Sequence, residues 1–466
     1  MKGREGHRIE AEGIDRAAGR QTPRRRADHV VIASIDALRP EFYHDETWPA
    51  PTLQQLAFEG IRADAVRTVF PALTYPAHTT LVTGALPARH GVTANRPFLQ
   101  TGRTDAWMWE SSHIRVPTLW DAVRAAGGTV ASIGWPVTVG ANIDWNVPDL
   151  WPVHYPRGDF IAPLRAASTP PGLLEELERE ATGRLRGETF GLGWLTREDR
   201  VGSMASYLFE RHRPTLLLMH LIGTDHMQHE RGRNNPLTRR AVGAADRAIG
   251  QVVGTVERLA MRDRVAFVIV GDHGSINRHT QLRPNAWLVE NGRMADRDDR
   301  GDWSAAFHAD GGSAFLRLRD GADPAVIGEV RRLLDAQPPG VRRLFRIVER
   351  AELDALGADP EAPFALAAVP GVEFSDLPTP PGVQAVHGAT HGYHPDEPEM
   401  HTGFVGAGAG FRSGAAMPLL PIEFVAPTVA ALLGIPFDAP DGIVFRGMLS
   451  DPPCSPDELA PIERAR

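Results

Sequence analysis

Three short apolar runs limit what this chain can become. Val30 to Ile35, Thr215 to Leu221 and Val265 to Val270 are dominated by branched aliphatic residues and do not alternate with polar ones. A strand apolar on both faces needs cover on both faces, as in a parallel sheet flanked by helices. Helical patterns lie between and after these runs. Pro51 to Gly60 has a glycine stop, Pro76 to Thr83 carries proline in its first turn, and Leu237 to Leu259 has helical periodicity. Thr129 to Ile133 reads as another strand. Later come a strand at Ala314 to Leu318, a helix around Pro324 to Leu334, a strand at Phe404 to Val405, and a helix from Glu423 to Leu433 stopped by Gly434 and Pro436. Strands alternating with helices predict an α/β fold: a mostly parallel central sheet with helices on both faces.

A chain of 466 residues accommodates one large α/β domain with insertions. We expect a disordered leader over 1–28, the domain over 29–450, and a tail over 451–466. Segments 93–200 and 275–385, rich in Trp, Pro, Gly and charge, read as excursions from the sheet that form a cap.

Composition removes several classes. No apolar run approaches the ~20 residues of a membrane span. A net charge of −8 argues against a partner with a nucleic-acid backbone. Cys454 is the sole cysteine, which excludes an intrachain disulfide and a thiolate zinc site. Lys2 is the sole lysine, so no lysine can act as nucleophile or phosphate clamp in the folded core. Arg24, Arg25 and Arg26 are followed by Asp28 and His29, not by the apolar stretch of a secretory signal, and a cytoplasmic location is expected.

The strand ends carry the chemistry. In open α/β sheets, ligands bind beyond the carboxyl ends of the strands. The first run ends at Asp36. The second leads into Asp225 and His229, the third into Asp272 and His273, and His391 follows much later in a Gly-rich loop. Each alone has a plain reading: a turn, a helix cap, or an i, i+4 helix pair. Three strand ends converging on Asp and His without Cys point to a metal site that suits Zn, Mn or Fe. These six side chains suffice for two ions with open positions for substrate. Thr74, at the start of a helix, is either an N-cap or a nucleophile placed where free N–H groups and the dipole favour an anion. Neither a P-loop nor a Gly-x-Ser-x-Gly elbow is present.

The ordered set Ile35-Asp36, Thr74 through Thr83-Gly84, His90-Gly91-Val92 with Asn95, Asp225…His229, Asp272-His273-Gly274 and His391-Gly392-Tyr393 resembles the nucleotide pyrophosphatase/phosphodiesterase family of the alkaline phosphatase superfamily. The resemblance implies an alkaline-phosphatase-like fold with inserted cap segments and two zinc ions. Asp36, Asp272 and His273 would hold one, with Thr74 as its reacting ligand, and Asp225, His229 and His391 the other. Asn95 and the backbone N–H of Tyr75 would bind a phosphoryl oxygen. It implies hydrolysis of phosphodiester or pyrophosphate bonds in a small-molecule, nucleotide-type substrate through a phosphothreonine. The alternatives on this scaffold are a phosphomonoesterase, a phosphonate hydrolase or a non-catalytic binder.

Without a lysine near the site, we expect the singly charged diester to be favoured, unless Arg96 or Arg115 supplies the cation. Tyr75 is a candidate to stack a nucleobase. Trp107, Trp109, Trp135, Trp145, Trp151 and Tyr155 either pack the cap or, through Trp151 or Tyr155, form an apolar slot with Tyr75. His226 and His394 flank the expected ligands, and His308 could line the cap.

Overall fold

The computed structural model describes residues 24–150, 161–191, 195–321 and 323–450. The expected leader (to residue 23), Trp151, Tyr155 and the tail from 451 lie outside them.

The three apolar runs pair with one another as their composition demands. Strand His29–Ile35 is parallel to Leu216–Leu221 on one side and to Val265–Val270 on the other. Val130–Ile133 and Trp145–Val147 extend the sheet beyond Leu216–Leu221, both in parallel. Beyond Val265–Val270 lie Phe404–Gly408, antiparallel to its neighbours, then Ile61–Ala63 and Ala415–Met417. Five of the seven pairings in this eight-stranded sheet are parallel.

Both faces are covered. Val31, Ala33, Leu217, Met219, Phe267 and Ile269 face helices Pro51–Glu59, Thr196–His212 and Pro236–Arg258. Val30, Ile32, Leu216, Leu218, Ala266 and Val268 face Thr74–Thr83, Leu119–Ala125 and Val425–Leu433. Burial on both sides is why these strands show no polar alternation.

The two expected excursions differ from each other. Segment 93–200 is no single insertion: Val130–Ile133 and Trp145–Val147 return to the central sheet. Segment 275–385 builds a second sheet of seven strands, antiparallel except where Val372–Ser375 pairs with Thr280–Leu282. Helices Pro284–Glu290 and Pro324–Asp335 close over it around Trp287, Leu288, Val330 and Leu334. No described helix is long and apolar enough to cross a membrane.

Candidate metal and phosphoryl-transfer site

Strand register brings the acidic residues together. Ser34 lies opposite Val270, so two residues on, Asp36 comes level with Asp272. Ile35 lies opposite Leu221, beyond which helix Gly223–Arg231 begins and presents Asp225 and His229 one turn apart. That helix is held at both ends. At its start the buried Glu198 carboxylate accepts the Gly223 N–H at 2.6 Å. At its end the buried Arg39 guanidinium donates to Gln228 Oε1, Arg233 O and Asn234 Oδ1 at 3.0–3.3 Å.

Two of the three histidines are aimed by their second nitrogen. His273 Nδ1 bonds Gly274 O and His391 Nδ1 bonds Ala72 O, both at 3.0 Å. Their Nε2 atoms therefore point into the site. The two rings stack with centroids 3.7 Å apart. His273 Nε2 lies 3.4 Å from Asp36 Oδ1 and 3.2 Å from Asp272 Oδ2. His229 Nε2 is 3.2 Å from Asp225 Oδ2, and His391 Nε2 is 4.0 Å from Asp225 Oδ1. Asp225, His229 and His391 offer ligand atoms within 4.8 Å of one another, and so do Asp36, Asp225 and His273. Asp225 thus stands between the two groups, and Asp272 closes the second from beneath.

The electrostatics suit a cation. Asp36 Oδ1, Asp225 Oδ1 and Asp272 Oδ2 are buried with no hydrogen-bond donor. Burial pushes Asp36 well above the usual carboxylate range, reinforced by Asp272 and Asp225. Burial likewise holds Asp272 up at about 6. Burial opposes ionisation of Asp225, but His229, His391 and His273 outweigh it and hold that carboxyl low. Burial depresses His273 to about 4 and His391 to about 3, so both stay neutral near pH 7. Carboxylate oxygens without donors beside neutral imidazoles form a donor set for divalent cations.

Thr74 opens helix Thr74–Thr83, and its Oγ1 lies 3.4 Å from His273 Nε2. Beneath it, His78 Nδ1 bonds Thr74 O at 2.8 Å and lies 3.5 Å from Asp272 Oδ2. His220 Nε2 is 3.3 Å from Asp36 Oδ2. These two buried histidines brace the carboxylates from the core side.

Above this cluster opens a cleft of about 400 Å³, lined by Asp36, Thr74, Asn95, Asp225, His229 and His391 together with Arg96, Trp107 and Asp310. The Tyr75 N–H donates to Asn95 Oδ1 at 2.9 Å, so the pair expected to share a phosphoryl oxygen is bonded to itself. Asn95 Nδ2 is then the donor left for a ligand. Tyr75 corrects the stacking expectation. Its ring is fully buried among Val92, Met108 and Val137, edge-on to Trp107, and its hydroxyl donates to Asp149 at 2.9 Å. No face is free for a base; among the described residues, the tryptophan, tyrosine or phenylalanine ring that reaches the cleft is Trp107. Trp135 is buried beside His78, and Trp145 stacks on His212.

Of the other residues singled out, His394 faces Glu352 at 3.2 Å, away from the cluster. His226 lines the cleft and pairs with Glu230 at 3.3 Å. His308 packs on Phe98. Arg96 enters the cleft, whereas Arg115 lines a separate cavity and lies across Gly91. Arg96 was legible as the neighbour of Asn95. No sequence signal separated Trp107 from the other nine tryptophans of the chain.

Known proteins share this architecture. Human ectonucleotide pyrophosphatase/phosphodiesterase family member 5 is 22% identical over 280 residues, 58% of this chain and 48% of that protein. Human family member 7 is 24% identical over 255 residues, 53% of this chain and 47% of that protein. The chain thus spans about half the length of the curated relatives it matches. Among solved structures, human ectonucleotide pyrophosphatase/phosphodiesterase 5 superposes with a TM-score of 0.65 at 18% identity, over 91% of this chain and all of that one. An inactive form of the murine protein in complex with AMP gives 0.62, also at 18% identity, over the same shares. These likenesses establish the fold. The family model for type I phosphodiesterase/nucleotide pyrophosphatase matches residues 30–394, and the chain belongs to that family.

Proposed function

We propose that this chain hydrolyses phosphodiester or pyrophosphate bonds of nucleotide-type substrates, with Thr74 as nucleophile at a two-zinc site. The observation that carries the reading is the placement of Thr74 Oγ1, 3.4 Å from His273 Nε2 among buried carboxylate oxygens that have no donor. Family membership supports the bond type. The AMP held by the murine relative supports a nucleotide arm.

Asp36, Asp272 and His273 would hold one ion together with Thr74, and Asp225, His229 and His391 the other. The same donors accept manganese or iron. When bound, the metal pair lowers the pKa of the Thr74 hydroxyl and offsets charge on the attacking and leaving oxygens. Asn95 Nδ2 donates to a non-bridging oxygen, and the start of helix Thr74–Thr83 favours negative charge there. Thr74 Oγ1 bonds to phosphorus as the opposite ester bond breaks, and the arm departs with its oxygen. Water then attacks the phosphothreonine, the Thr74 Oγ–P bond breaks, and the hydroxyl is restored. Two in-line displacements give net retention at phosphorus. Trp107 offers an apolar face to the retained arm. Arg96 in the cleft favours a second reading, a phosphomonoesterase, because a guanidinium can meet the extra charge.

The test is zinc-loaded turnover of bis-p-nitrophenyl phosphate, p-nitrophenyl thymidine monophosphate and p-nitrophenyl phosphate, with Thr74→Ala as control. Diesters should win, and Thr74→Ala should lose at least about 10³-fold in kcat, the scale of nucleophile deletions. Preference for the monoester would install the second reading. No turnover with metal bound would make the chain a binder.

A further inference from the structure

Two carboxylates lining the cleft are not used by this chemistry, Asp149, which accepts the Tyr75 hydroxyl, and Asp310. Asp310 lies in strand Ala305–Gly311 of the second sheet and lines the cleft with His229 and His391. Its position is built by a close backbone contact. The Gly312 N–H donates to His391 O at 2.8 Å. A Cβ on Gly311 would fall 2.0 Å from that oxygen, one on Gly312 2.3 Å from the Tyr393 ring, and one on Gly392 2.7 Å from Asp310 O. Gly311 and Gly392 also adopt positive φ. Only glycines let the hairpin tip press this closely on the loop carrying His391. The inserted sheet thereby delivers a carboxylate into a cleft whose other functional groups come from the rest of the chain.

Among the described residues, Asp310 has no ion-pair partner. Arg96, in the same cleft, lies 3.9 Å from Asp105. Thr74 sits with His273, so in-line displacement sends the leaving oxygen away from Thr74, toward Asp225, His229 and His391. That is the side Asp310 occupies.

We propose that Asp310 selects the leaving arm by charge, disfavouring arms that are themselves anionic, such as pyrophosphate, and favouring uncharged alcohol arms. The proposal rests on the hydrolase reading above and narrows it to esters of uncharged alcohols. A like charge held beside the departing group in a half-buried cleft is screened less than one on the open surface, and such juxtapositions discriminate between partners.

The experiment compares two substrates that share one thymidine 5′-phosphoryl group: the p-nitrophenyl ester, with an uncharged arm, and thymidine triphosphate, with a pyrophosphate arm. The kcat/KM ratio is measured for the wild-type chain and for Asp310→Asn, so intrinsic leaving-group differences cancel. We expect Asp310→Asn to shift the preference toward the triphosphate by about tenfold or more. Inhibition by inorganic pyrophosphate should strengthen in parallel, and Asp310→Glu should keep the wild-type preference. Should the asparagine variant not fold, Asp310→Ser takes its place. If both esters are cleaved and neither the ratio nor the pyrophosphate inhibition moves, this proposal alone falls. If the wild-type chain cleaves neither, the hydrolase reading falls and takes the proposal with it.

Discussion

Asparagine at position 272 should stabilise the metal-free chain and destabilise the metal-loaded one. Asp272 is fully buried, and burial holds its carboxyl at about 6 against an ordinary 3.8. Its Oδ1 accepts the N–H groups of Ala37 at 3.1 Å and His273 at 2.9 Å, and an asparagine Oδ1 keeps both. Its Oδ2, 3.2 Å from His273 Nε2, has no donor. At about 1.4 kcal/mol per pH unit, ionising this group in the fold costs about 3 kcal/mol. The sign follows from the raised folded value. The contribution of Asp272 to stability is fully present below the unfolded pKa and is lost as pH rises through about 6. Urea denaturation in the presence of a chelator should therefore find wild type and Asp272→Asn alike below about pH 4. Near pH 8 the variant should be more stable, by up to about 3 kcal/mol. Zinc should reverse the order. An ion at about 1,000 times its Kd adds about 4.1 kcal/mol, more than that difference, and the variant has lost a ligand of one site. A metal-free wild type that outlasts the variant near pH 8 would refute the reasoning. Asp272 would then be stabilised by the protein itself and not reserved for an ion.

Three further outcomes follow from the same geometry. Tyr75→Phe should lower unfolding stability by about 1.5–3 kcal/mol, because a buried hydroxyl-to-carboxylate bond to Asp149 is lost, with little change in KM. Trp107→Ala should raise KM for the thymidine ester but not for methyl p-nitrophenyl phosphate, whose retained arm has no ring, by the ~1–3 kcal/mol of one base stacked on an aromatic ring; equal effects on both would make Trp107 a packing residue. Asp246, buried on helix Pro236–Arg258, accepts the N–H groups of Leu53 at 2.8 Å and Thr52 at 3.2 Å. It caps helix Pro51–Glu59, whose own N-cap residue is Ala50. Asp246→Ala should cost about 2–3 kcal/mol in urea denaturation, and a loss under 0.5 kcal/mol would show that the cap is dispensable.

Much of the site was legible because it lies where short-range signals are strong. Asp36, Asp225 and Asp272 each follow an apolar run, and such runs announce both the strand and the point where it ends. Thr74 was visible as a helix start. His391 was legible only as a histidine in a Gly-rich loop, and Asn95 rested on resemblance and order, since neither follows a readable strand. Tyr75 misled because adjacency to Thr74 says nothing about which way a ring turns. On a helix, the residue after the nucleophile points about 100° away, and here that direction leads into the core. Segment 93–200 misled at its second strand: Val130–Ile133 lies within a run read as a strand, whereas Trp145–Val147 has three residues with Asn146 between its apolar ones.

By itself the sequence determined a helix-covered, mostly parallel sheet and the identities of the groups at its carboxyl edge. Both follow from side-chain chemistry and from spacing along the chain. Tertiary structure alone decided which groups meet. Register set Asp36 level with Asp272. Packing turned Tyr75 inward and Trp107 outward, and a glycine contact between the second sheet and the loop carrying His391 put Asp310 beside that residue. Such contacts join residues tens to hundreds of positions apart, and no local propensity encodes them. They form because burying two apolar sheets and their helices leaves few arrangements of the edges between them.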